Sequence, residues 1–235
     1  LDLPVLGTGN PQDFACVAAY AQPWRAMIVS SSETTEGYRI RTQLDRPARI
    51  GWLAEPLGSG VVGRFDEGGS LLIDLPAGGL SSADRLAVLN GTNRIALRAG
   101  NGAWEIVGFR AASEIAPRRW RLTGLLRALC GTEDAMIAGH AADAEAVMLD
   151  EALRPLGLGV EEAGRLSNWV VDAVGGGGGE IEIDAGHHAA LIVGRLDRGL
   201  ARSVGHRPQG AHLEVAAFGG RRQQQERRRR LVGQQ

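Results

Sequence analysis

The chain of 235 residues contains no lysine, so all 26 of its basic side chains are arginine. With alanine and glycine abundant as well, this reads as the bias of GC-rich coding rather than as a binding chemistry, although arginine forks still pair with carboxylates and stack on indoles. Cysteine is nearly absent. Cys16 and Cys130 lie far apart and neither has a partner at Cys-x-x-Cys spacing, which excludes a zinc or dithiol redox motif, and an iron–sulfur site would need more thiolates. Both are read as free, mostly buried thiols, with a single disulfide left open. No apolar run is long enough to span a bilayer, and no basic segment followed by an apolar core marks a secretory signal. The first residue is Leu1 rather than Met, so the sequence is read as a piece of a longer polypeptide.

What is present is a core-forming chain, 44% hydrophobic, broken into short strands. Residues 38–44 alternate Tyr38, Ile40, Thr42 and Leu44 with Arg39, Arg41 and Gln43, as an antiparallel strand wet on one side does. Further strands are expected at 26–30, 49–53, 71–75, 94–98, 146–149, 169–174 and 213–218. A helix is expected at 81–89, with Ser81 or Ser82 as N-cap and Asn90-Gly91 ending it. Residues 134–144 read as loop with a short helical turn, and 161–167 as another turn. Five consecutive glycines, Gly175 to Gly179, read as a linker or long hairpin loop. The fold class is therefore mainly β, antiparallel sandwich or barrel-like units with one or two short helices.

Catalytic and ligand motifs fail on context. Gly58-Ser59-Gly60-Val61-Val62-Gly63 satisfies G-x-G-x-x-G, but the residues after it are loop-like, and a dinucleotide site needs a helix opening there. Gly7-Thr8-Gly9-Asn10-Pro11 fails for the same reason. Glu180, Glu182, Asp184, His187 and His188 lack the spacing of a metal site and are read as surface residues at a turn, as are His206 and His212. No Gly-x-Ser-x-Gly elbow occurs, and Ser203 near His206 is ordinary. Asp66, Glu67 and Asp74 could be drawn as paired carboxylates, but structural roles are favoured. Residues 221–230 hold six arginines against Glu226, a local charge of +5 that leaves −6 for the rest. The tail is read as solvated and disordered, with nucleic acid disfavoured as a partner.

The most informative stretch is 104–150. Trp104, Ile106 and Gly108 alternate with Glu105, Val107 and Phe109. Ala116-Pro117-Arg118-Arg119 reads as a turn, and Trp120, Leu122, Gly124 and Leu126 alternate with Arg121, Thr123, Leu125 and Arg127 on the return. Pairing of the two tryptophan-bearing faces is the expectation. These residues also carry a resemblance: Glu105, Phe109, Leu122, Gly124, Leu126, Arg127, Gly131, Thr132, Glu133, His140, Val147, Leu149 and Asp150 occur in the order seen in the C-terminal part of the phage tail-tip proteins of gene transfer agents and related siphophages, the baseplate megatron or host-specificity proteins. Upstream, Arg49-Ile50-Gly51-Trp52 leading to Glu55-Pro56-Leu57, then Leu80-Ser81-Ser82-Ala83 and Leu89-Asn90-Gly91, are similar to further segments of that family. The resemblance covers roughly residues 1 to 155 and departs at Ala128. The family has glycine after the arginine, so the backbone here is expected to avoid positive φ.

The resemblance implies a structural, non-enzymatic component of a tail tip or baseplate, within a virion or gene-transfer-agent particle. It implies no cofactor, a homotrimer on the tail axis, contacts with other tail and baseplate proteins, and engagement of bacterial surface glycan. Domains are expected at 1–165, 166–218 and 219–235, the last a basic tail. Glu105, Arg127, Gly131, Thr132 and His140 are expected to brace turns: His140 to pin the Gly131-Thr132 turn, Arg127 to meet Glu105 or Glu133. The alternative function is a carbohydrate-binding module accessory to a glycoside hydrolase domain outside this chain, with Trp24, Trp52, Trp104 and Trp120 as glycan contacts. Burial of these tryptophans separates the two readings.

Overall fold

A computed structural model of the chain describes residues 16–34, 36–158, 162 and 167–174, together with the backbone of two short strands at 188–190 and 213–215. Within them the protein is mainly β, as its alternating segments demand. Six antiparallel strands close into a barrel: β4 (Ile50–Leu53), β5 (Asp66–Asp74), β6 (Arg94–Arg98), β7 (Trp104–Ala116), β8 (Arg119–Leu129) and β9 (Glu145–Met148), in the order β4-β5-β8-β7-β6-β9. Closure leaves no free edge among these strands. The interior is filled by one residue in two from most of each strand, among them Leu53, Leu71, Ile73, Ile95, Leu97, Val107, Phe109, Leu122, Leu125, Ala146 and Met148.

On the outer wall, the register places Ile50 opposite Val147, Val147 opposite Ala96, and Ala96 opposite Ile106, a continuous apolar row. That row is covered by β1 (Cys16–Tyr20), which sends Ala18 and Tyr20 against it. From its other face β1 sends Val17 and Ala19 into a second core with Met27, Val29, Leu44, Leu156 and Trp169. Those residues belong largely to β2 (Met27–Ser32), β3 (Arg39–Leu44) and β11 (Ser167–Ala173), which with β13 (Leu213–Val215) form a sheet in the order β13-β11-β2-β3. β1 itself pairs with β10 (Arg154–Pro155) and β12 (His188–Ala190). The boundary expected at residue 165 thus has hydrogen-bonded strands on both sides, since β11 pairs with β2 along its length.

Several expectations are corrected. β1 has no counterpart among the expected strands: a strand buried on both faces shows no polar alternation, and Cys-Val-Ala-Ala-Tyr has none. The first helix, α1, spans only Arg85–Leu89 and is capped by Asp84, whose Oδ1 accepts from the Ala87 N–H at 2.8 Å, not by Ser81 or Ser82. Ser82 is drawn away because its hydroxyl accepts the Ala112 N–H of β7 at 3.0 Å, which holds the segment extended. Asn90 and Gly91 do end the helix, with Gly91 at φ +100°. The second helix, α2, covers Glu133–Ala138, with two acids in its first turn where the helix dipole favours them.

The β7–β8 hairpin turns at Pro117-Arg118, within the expected turn, Arg118 taking φ +65°. Its tryptophan faces do not meet, however: Trp104 lies opposite Arg98 of β6, and Trp120 opposite Glu114 and Ile73, near the other end of the hairpin. Strict alternation along β8 also fails, because Gly124 at φ +62° lets both Leu122 and Leu125 reach the interior. Glycines 175–179, the acids and His187 at 180–187, Ser203, His206, His212 and the arginine-rich tail lie outside the described residues, as do residues 1–15.

Candidate functional site

At the end of the barrel where β6 and β8 finish and β7 and β9 begin, three ionisable side chains meet out of reach of water. Glu105 is the second residue of β7 and points inward, in phase with Val107 and Phe109. Arg127 comes from the end of β8, and His140 from the coil between α2 and β9. They are 0%, 3% and 4% exposed. Arg127 grips the carboxylate with both tines of its fork, Nε donating to Oε1 at 2.7 Å and Nη2 to Oε2 at 2.8 Å, a geometry lysine could not reproduce. The Ala128 N–H adds a bond to Oε1 at 3.0 Å, and Nη2 also reaches the Gly58 carbonyl at 3.0 Å.

His140 completes the shell, its Nε2 lying 2.6 Å from Glu105 Oε2 and its Nδ1 2.9 Å from the Arg98 carbonyl. A carbonyl oxygen only accepts, so Nδ1 carries a proton. Burial pushes the Glu105 carboxyl up, but the hydrogen bonds from His140 and Arg127, the Arg127 charge and the Ala128 N–H outweigh it and hold the group below its ordinary value of 4.5. Glu105 is therefore a carboxylate, and both of its oxygens accept from the Arg127 fork. The cluster is a guanidinium and an imidazole converging on one buried carboxylate.

Of the two acids expected for Arg127, the one it meets is Glu105; Glu133 lies in the first turn of α2. The role expected of His140 is corrected, because the Gly131-Thr132 turn is pinned by Thr132 itself. Its hydroxyl donates to the Leu129 carbonyl at 2.8 Å and accepts the Ile106 N–H at 3.1 Å. The expectation for Ala128 is overturned as well. It sits at φ +54°, with Cys130 at +61° and Gly131 at +78°, because the chain must curl there to present the Ala128 N–H to Glu105. Cys130 is exposed rather than buried, whereas Cys16 is buried on β1.

The G-x-G-x-x-G segment is no nucleotide loop, for it leads into β5 rather than into a helix. It lies instead across the cluster: Leu57 exchanges backbone bonds of 2.9 Å with His140, a Cβ at Gly60 would come within 2.9 Å of Arg127 Nη1, and Val62 bridges to Arg127. The carboxylates considered for hydrolysis are dispersed. Asp66 accepts the N–H groups of Gly68 and Gly69, Glu67 pairs with Arg110, and Asp74 pairs with Arg119, whose hydrogen bonds hold the Asp74 carboxyl below its ordinary value. Among the described residues, no three His, Cys, Asp or Glu side chains gather as metal ligands would, and no helix is long and apolar enough to cross a membrane.

The tryptophans are mostly inward. Trp104 is 3% exposed beneath Arg98, Trp120 is half-buried against the barrel core, and Trp24 is half-buried with its Nε1 turned to the Asp45 carbonyl. Trp52, also half-buried, lines an open groove of about 330 Å³ with Asp74, Pro76, Pro117, Arg118 and Arg119. Neither Trp24, Trp104 nor Trp120 joins it there.

Residues 48–147 match the family described as Rcc01698-like, C-terminal. The matched interval is somewhat under half of the chain, runs from just before β4 to the third residue of β9, and so coincides with the barrel. No curated protein matches the chain.

Proposed function

We propose that this chain is a structural, non-enzymatic component of a phage-like tail tip or baseplate, acting in assembly and host-surface attachment within a virion or gene-transfer-agent particle. The observation that carries the reading is where the tail-tip-like residues fall. Glu105, Arg127 and His140 form the buried cluster, Thr132 anchors its neighbouring turn, Gly124 and Gly131 take positive φ, and Asp150 pairs with Arg49 at the foot of the barrel. The shared pattern is one of folding duties. A cluster whose carboxylate already accepts four hydrogen bonds has little capacity left for a substrate.

Partners on this reading are other tail and baseplate proteins, a homotrimeric arrangement on the tail axis, and bacterial surface glycan met by exposed loops. The carbohydrate-binding alternative asks for two or more tryptophans along an open groove. Trp52 is the single tryptophan in the groove beside Pro117, so burial favours the scaffold.

Antibody labelling of purified particles tests the assignment. The chain is expected at the distal tail, and its deletion is expected to yield particles that lack a tail tip or fail to adsorb. Infective particles from which the chain is absent would overturn it.

A further inference from the structure

We propose that residues 57–63 form a lid over one end of the barrel, held shut from below by the Glu105–Arg127–His140 cluster and released when acid protonates Glu105. The lid has little else to hold it. Its hinge is Leu57, whose side chain packs against the barrel core and whose backbone pairs with His140; beyond that it meets the barrel through the Gly58 carbonyl on Arg127 Nη2, the contact of Gly60 with the same guanidinium, and the bridge from Val62. Past the Leu57 hinge, Ser59 and Val62 are exposed, Val61 is half-exposed, and the other three residues are glycines, so side-chain burial contributes little to holding 58–63 closed. A segment tied down by few contacts is one that opens locally, below the free energy of global unfolding.

The trigger is a charge balance. With Glu105 ionised, its charge balances the Arg127 guanidinium that grips it; protonation removes the anion and leaves the guanidinium without a counter-charge in a dry site. Other charges do not compensate. Arg98, from β6, lies over Trp104 on the outer wall and feels Glu145 of β9, while its carbonyl is already used by His140. Relief comes from letting water reach Arg127, and the residues above it are the lid.

Amide exchange followed by NMR, corrected for the intrinsic effect of pH, reads the device directly in the intact chain. On acidification, protection of the Leu57 and His140 amides is expected to vanish at a higher pH than that of Phe109 and Leu125 in the barrel wall. Glu105→Gln is expected to abolish Leu57 protection already at neutral pH. Because that variant can fail to fold, Gly60→Ala supplies a second route, its methyl pushing the lid off Arg127 while the cluster's charges remain. It is expected to lose Leu57 protection with Phe109 still protected. Loss of Leu57 and Phe109 protection at one common pH, or full Leu57 protection in Gly60→Ala, would overturn the lid.

Discussion

A carboxylate removed from water costs several kcal/mol unless its lone pairs are satisfied and its charge is met, and Glu105 meets both conditions through Arg127, His140 and the Ala128 N–H. Removing one member strands the others. Glu105→Gln is expected to lower stability at neutral pH by about 3–5 kcal/mol, whereas an apolar replacement of all three groups of matched volume recovers much of that loss; urea melts of the single and triple variants check it. The depressed carboxyl sets the sign of the pH dependence. Stability contributed by ionised Glu105 is fully present above the ordinary glutamate value of 4.5 and is lost as pH falls through the lower folded value. The wild-type profile should therefore fall more steeply in acid than that of Glu105→Gln, and equal slopes would remove Glu105 as the cause. A neighbouring residue runs the other way. Ala128 at φ +54° bears a left-handed strain of about 1–2 kcal/mol, and glycine returns about 0.5–1 kcal/mol of that to the unfolded chain's entropy, so Ala128→Gly is expected to stabilise modestly in thermal melts.

Elements are legible in the sequence where one face is wet and illegible where both are dry. β3 announces itself as a strand by the alternation of Arg39 and Arg41 with Ile40 and Thr42, but its facing is not as expected, for Ile40 is exposed and Arg41 turns inward to Ser31; β1, pressed between barrel and second sheet, shows only small and apolar residues. The long hairpin is legible from its turn, but the pairing of its faces is not, since the positive φ at Gly124 and the register shift between Ile106 and Gly108 reset the alternation along both strands. The candidate site is legible in part: opposite charges on paired strands bring Arg127 to Glu105. The place of His140 is not, because 35 residues separate it from the carboxylate and the non-sequential pairing of β9 with β6 brings them together. The alanines of β1 are diagnostic of its position. Ala18 is fully buried against the row of Ile50, Ala96, Ile106 and Val147, so Ala18→Leu overpacks a site with no room and is expected to cost about 1–3 kcal/mol, while the same change at exposed Ala116 should cost little. Chemical denaturation of the two variants separates these outcomes.

At the scale of the whole molecule, the barrel has its own closed hydrogen-bonding and its own interior, yet its outer wall is not that of an independent domain. The row from Ile50 to Ile106 is covered by β1 and would otherwise face water together with Trp104. Contiguous apolar patches of this kind drive association when uncovered. A chain beginning after Leu44 and ending at Leu158 keeps all six barrel strands and the Glu105 cluster but loses β1, β2, β3 and β11. It is expected to retain barrel structure by circular dichroism while binding a hydrophobic dye and self-associating in analytical ultracentrifugation, and Ile50→Thr with Val147→Thr should suppress both effects. A truncated chain that stays monomeric and dye-free would mean that the row is closed by the barrel's own rearrangement and that β1 is an ornament of the fold rather than part of its core.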